Sequence, residues 1–265
     1  MASQNPAFSR NPVFNGKAPV KPSATLSADG LQAMYDAPTA TAADTDRMSY
    51  DDVIVKTGIS FIVLLAFAAV GWQIPALAIP GALIGFGLAM VNIFKREPSA
   101  PLILLYAGAQ GLFIGAISSF FERLFPGVVV QAVIATICVF AVTLALFASG
   151  KIRASKRNTK IFMIALIGYA VFSLVNFVLV MTGVNKDAFG LSSSVHLFGI
   201  PLGVVLGVVA TLLAAYMLVL DFDQIKTGVT AGAPRKYGWS AAFGLVVTLV
   251  FLYTQLLRMF AIARN

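Results

Sequence analysis

Apolar residues crowd into seven stretches, at roughly 57–72, 76–94, 101–121, 129–148, 160–182, 197–220 and 239–262, with short polar connections between them. A helix of about 20 apolar residues crosses the roughly 30 Å of hydrocarbon in a bilayer. The pattern therefore predicts an all-α, polytopic integral membrane protein with seven transmembrane helices, in contact with lipid on most sides. The first stretch is short, and Gln73-Ile74-Pro75 turns tightly into the second. A hairpin entering and leaving on one face is the alternative there, although two full spans agree better with the placement of charge. Periodicity adds little, because a helix buried in a bundle is apolar all round.

Ahead of these stretches, residues 1–50 are rich in Ala, Ser, Thr, Pro, Asn and Asp and hold no apolar run. Such a segment buries too little surface to offset the entropy of ordering. It is expected to be a disordered tail, leaving residues 51–265 as the seven-helix transmembrane domain. The tail lacks the basic start and immediate apolar stretch of a cleavable signal peptide, so the first span after Lys56 is expected to act as an uncleaved signal anchor.

Charge orients the chain. Lys56, Lys95, Arg96, Lys151, Arg153, Lys156, Arg157, Lys160, Lys226, Arg235 and Lys236 fall on one side of the alternating spans. Arg123, Lys186, Arg258 and Arg264 fall on the other. By the positive-inside rule the amino terminus is cytoplasmic and the carboxyl terminus lies outside, as an odd number of spans requires. The net charge of +8 is thereby explained by loops on one face, which touch anionic lipid head groups, without invoking nucleic acid.

Only 11% of the 265 residues are charged, where a soluble chain has about a quarter. Enzyme chemistries fail one by one. The seventh stretch has no lysine for a retinal Schiff base, and His196, the single histidine, is expected at the outer interface, far in depth from Ser149. One histidine cannot make a metalloprotease motif, and no Gly-rich phosphate loop occurs. No enzyme activity and no resident cofactor are expected. Cys138, the single cysteine, is expected to be a small buried apolar residue.

Glycines four residues apart mark helix faces where backbones approach: Gly81 and Gly85, Gly111 and Gly115, and Gly199, Gly203 and Gly207. Pro201 removes a hydrogen bond from the sixth span and predicts a bend there. These residues are either a plain packing seam or, with Gly199, Gly203 and Gly207, a hinge in a moving helix.

Ionisable groups within spans are costly and tend to be functional. Asp221 and Asp223 stand at the cytoplasmic end of the sixth span, about 200° apart around the helix, so they do not face each other. Asp223 is expected to face water or to pair with Lys226, and Asp221 to turn inward. At the opposite face, Glu122 and Arg258 have similar depth, which predicts an outer ion pair between them.

The run Leu220-Asp221-Phe222-Asp223-Gln224-Ile225, then Gly232-Ala233-Pro234-Arg235-Lys236, Trp239 and Leu256-Leu257-Arg258, resembles the Bax-inhibitor (transmembrane Bax inhibitor motif) family in its bacterial branch. Val91-Asn92-Ile93-Phe94-Lys95, the run from Gly111 to Ser118, and Gly168-Tyr169 agree, so the resemblance spans about residues 50–265. It implies a seven-helix fold with the seventh span central, in a bacterial plasma membrane. It also implies a slow, pH-sensitive calcium leak, with calcium as transported ion. In such proteins an aspartate of the sixth span shares a proton with one of the seventh and closes the pore. Asp221 matches the first position. The second, ten residues before Arg258, is Thr248; the seventh span holds no acid, Gln255 being its nearest mimic, and Gln110 stands where related chains often carry Glu. Asp221 is then the sole intramembrane carboxylate for a metal, whereas calcium prefers six to eight oxygens. The resemblance also implies an alternative: a non-channel modulator that binds a membrane partner, such as a quality-control protease, in stress protection.

Overall fold

The computed structural model describes residues 46–95, 97–184, 189–197 and 199–264. The tail assigned to residues 1–50 lies outside them up to residue 45, as do Arg96 and Lys186. Seven helices are long and apolar enough to cross a membrane. They are α1 (Tyr50–Gln73), α2 (Ala78–Phe94, extended by a 3-10 turn at Pro75–Leu77), α3 (Ala100–Leu124), α4 (Val128–Ala148), α5 (Lys156–Met181), α7 (Leu202–Thr230) and α8 (Gly238–Arg264). A single-turn helix α6 (Leu191–Ser194) and a two-stranded hairpin, β1 (His196–Leu197) with β2 (Ile200–Pro201), connect α5 to α7. The first two spans contain 24 and 20 residues, long enough for two crossings and not for a one-sided hairpin.

Local chemistry sets where the helices begin and end. The Ser49 hydroxyl accepts the Asp52 N–H at 3.1 Å, and Asp51 and Asp52 fill the first turn of α1, where the helix dipole favours negative charge. The helix therefore starts seven residues before the apolar run does. The tail boundary moves with it, since Met48 is already buried at 4% exposure. At α4, Gly127 takes a φ of +84° and the Glu122 carboxylate accepts the N–H groups of Gly127 and Val129, at 2.6 and 3.1 Å. A carboxylate from the preceding helix thus satisfies donors that α4 cannot pair internally.

The core lies around α8, which packs on α1, α3, α4 and α7. Its most apolar 18-residue window is 56% buried, against 11% for the windows of α2 and α5, which leave large apolar side chains facing outward to lipid. The seventh span is central, as the family resemblance implies. The main core cluster joins Leu245, Leu252, Leu256 and Leu257 of α8 to Leu218 and Phe222 of α7.

Three expectations are corrected here. Pro201 does not bend a span, because α7 begins at Leu202, just after it. A residue with no N–H and a fixed φ costs nothing at a helix start. Gly199 sits at φ +81° in the hairpin turn, and a Cβ on Gly203 or Gly207 would collide with Ile262 and Ser192, or with Met259. Gly203 and Gly207 form a packing seam of α7 against α6 and α8, so the hinge alternative loses its proline. Cys138 is exposed on the outer side of α4, where thiol and lipid are compatible.

Charged connections that sequence counting assigned to one face do meet. Lys236 Nζ lies 2.9 Å from Glu97 and holds that carboxyl below the usual carboxylate value. At the other end of α8, Arg264 donates to the Pro126 carbonyl at 2.6 Å.

Candidate functional site

Asp221 is half-buried on α7, nine residues before the helix ends, which is about 13 Å along the axis. The sixth span continues to Thr230 rather than closing near Leu220, so the acid stands deeper in its helix than the apolar run suggests. Its carboxylate is turned toward α8. Thr248, only 2% exposed, donates its hydroxyl to Asp221 Oδ2 at 2.6 Å. One turn earlier on α8 comes Gly244, where a Cβ would stand 3.3 Å from Asp221 Oδ1. A residue without a side chain and a residue with a short donor thus make one carboxylate-sized notch. A cavity of about 230 Å³ adjoins it, lined by Met48, Gln224, Ser240 and Tyr237 among others.

Further along, α7 and α8 meet through Ala214, Leu218 and Leu252, all fully buried. An apolar layer therefore stands between the Asp221 notch and the opposite end of the bundle. Beyond that layer the polar side chains Tyr253, Gln255 and Arg258 of α8 reach two other helices, α3 and α5. Tyr253 and Ser118 of α3 share a hydrogen bond of 2.6 Å. Tyr169 of α5 donates to Gln255, and Arg258 Nη2 donates to the Tyr169 hydroxyl at 2.6 Å with its guanidinium 5.9 Å from that ring. Hydrogen bonds between spans have few competitors in lipid, and such contacts fix helix rotation.

The sequence-predicted residues divide accordingly. Asp221 and Thr248 are brought together. Asp223, two positions on, is half-buried and makes no ion pair with Lys226 among the described residues. Glu122 and Arg258 are not brought together: the carboxylate caps α4 and the guanidinium binds Tyr169. Depth alone suggested that pair, and depth says nothing of direction around the axis. Glu122→Ala is consequently expected to cost about 1 kcal/mol, the usual size of a lost helix cap. Reversing both charges should rescue neither single reversal; recovery of the thermal midpoint in the double variant would count against this assignment.

His196 lies exposed in β1, consistent with an interfacial position. Gln110 lies in the α2–α3 contact, where its side chain would meet a Cβ on Gly85. Among the described residues, no three His, Cys, Asp or Glu side chains gather where they could hold a metal. Asp221 is left with Thr248 as its polar side-chain partner.

Sequence reasoning missed a buried cluster at the start of α1. Lys56, 8% exposed, binds Asp52 at 2.6 Å, and Asp52 also pairs with Arg235 Nε at 2.9 Å. Charge counting treats Lys56 only as a loop residue; the i, i+4 spacing of Asp52 and Lys56 is the signal that points to the pair.

Fold and site together define a multi-pass α-helical membrane protein built around a central seventh span, with one carboxylate held between its sixth and seventh spans. The chain belongs to the Bax inhibitor 1-like family, whose model matches residues 5–265. A search of curated proteins gives no match.

Proposed function

We propose that this protein is a calcium-permeable leak pathway, or a related cation pathway, with Asp221 at its inner mouth and no enzyme activity. The observation that carries this is the Asp221–Thr248 notch, an intramembrane carboxylate beside a cavity on the central helix. A carboxylate within a span is expensive, and keeping one in a cavity suits an attracting site for cations. On this reading the apolar layer at Ala214, Leu218 and Leu252 blocks the pathway in this conformer, and conduction requires α7 and α8 to part. We place the amino terminus in the cytoplasm of a bacterial cell, from the lysine and arginine count, with the basic connections against anionic lipid.

Thr248 where relatives carry a second acid changes the gating. A hydroxyl cannot share a proton as a paired carboxylate does, so any pH dependence must come from protonation of Asp221 alone. Asp221→Asn should lower calcium flux into proteoliposomes by about tenfold, the effect of losing roughly 1.4 kcal/mol of cation attraction. It should also flatten the flux profile between pH 5 and 8. Identical flux and profile in the two proteins would remove Asp221 from the pathway.

A second reading is a membrane modulator that captures a protein partner such as a quality-control protease. It is favoured by the single acid, since partner binding needs no cluster of carboxylates, and by the broad apolar faces of α2 and α5. Deletion of residues 1–45 discriminates. Partner capture should be lost under this reading, whereas flux should survive under the first.

A further inference from the structure

The polypeptide just before α1 runs back across the α7–α8 connection and contributes Met48 to the wall of the cavity beside Asp221. Met48 N donates to the Ala233 carbonyl at 2.7 Å, Arg235 N donates to the Asp46 carbonyl at 2.9 Å, and Arg47 forms an antiparallel bridge with Pro234. Side chains reinforce the backbone. Arg235 pairs with Asp52, and Lys56 Nζ donates to both Asp52 and the Arg235 carbonyl, each at 2.6 Å.

What this fastening inserts is Met48. Its side chain lines the Asp221 cavity together with Ile225, Gly228, Ala233 and Ala241. It packs into the main core, and its sulfur lies 3.2 Å from where a Cβ on Gly228 would stand. The missing side chain at Gly228 makes the seat. An unbranched thioether fills an irregular gap well, and its departure strands no polar group of its own. The tie through Arg235 is of the kind that opens readily, because that side chain is 55% exposed and solvated.

We propose that residues 46–49 are a removable strap, with Met48 as its plug, that controls water and ion access to Asp221 from the face carrying the α7–α8 connection. The proposal rests on Asp221 as the transport site and adds the element that regulates it. Local opening of this kind needs no change in the packing of the seven spans.

The test places a cysteine inside the cavity, Ala241→Cys, in the full chain carrying Cys138→Ser, reconstituted in liposomes. A charged, membrane-impermeant methanethiosulfonate reagent then reads access. Met48→Gly should speed modification at least tenfold, Met48→Leu should leave it at the parental rate, and Arg235→Gln, which cuts a tie without touching the plug, should speed it about threefold. Equal rates in Met48, Met48→Gly and Arg235→Gln proteins would overturn the strap, whatever the ion flux does. Faster modification with calcium flux unchanged in every variant would support the strap and overturn the transport reading of Asp221.

Discussion

One methyl group added at Gly115 should destabilise the bundle by about 3 kcal/mol or more, while the same addition at Gly168 should stabilise it by up to about 1 kcal/mol. The difference comes from what each position faces. Along α1 and α3 the backbones touch turn after turn: a Cβ on Gly111 would overlap the Leu64 carbonyl, one on Gly115 the Ala68 carbonyl, and one on Gly71 the Leu112 carbonyl. Backbone atoms of a helix cannot swing aside as a flexible side chain does, so Gly115→Ala must separate two helices along their length. In lipid no water-driven force between spans compensates, since association depends on close van der Waals contact. Gly168 has nothing within 4 Å of its missing Cβ, and alanine there gains helix propensity alone. Thermal unfolding in detergent micelles compares the two directly, and matching midpoints would refute the backbone seam.

The second large effect is expected at Asp52. Asp52→Ala should cost about 3 kcal/mol, because it leaves Lys56 buried with only the Arg235 carbonyl and the Trp239 face, 5.7 Å away, for company. Breaking one side of a buried pair is what costs; the double change Asp52→Leu with Lys56→Met removes both charges and should recover most of the loss. The exposed pair Lys236–Glu97 is the control. Its side chains are 45% and 68% exposed, so Glu97→Ala should leave the midpoint almost unchanged. Equal effects at Asp52 and Glu97 would show that burial of the Asp52 cluster contributes nothing.

Much of the architecture was legible from apolar run length, because lipid imposes one rule on every span: backbone groups must be paired within the helix. Helix ends were less legible. The apolar runs place the start of α1 at residue 57 and the end of the sixth span at residue 220, yet Ser49 caps the first and the second continues to Thr230. Polar residues can stay helical when they bury against neighbours, and a run of hydropathy does not record that. The site was half legible. Thr248 as the partner of Asp221 followed from the family's spacing, and the structure sets the two 2.6 Å apart. The Glu122–Arg258 pair failed because depth fixes one coordinate of a side chain and its azimuth the other. Tyr169 stands in the sequence as a motif residue, and its role as the partner of Arg258 depends on how α5, packed on α7, carries that side chain to α8.

Composition and order of residues by themselves determined that this chain is a seven-span membrane protein and that Asp221 is an acid at the end of its sixth apolar stretch. Those are consequences of solvent: hydrocarbon selects length and excludes charge before any helix meets another. Only the tertiary structure decided where the sixth span ends, that Arg258 meets Tyr169 and not Glu122, and that Met48 lines the cavity beside Asp221. Each of these depends on rotation and contact between elements far apart in the chain. No local pattern encodes them, because packing energies depend on the partner as much as on the residue.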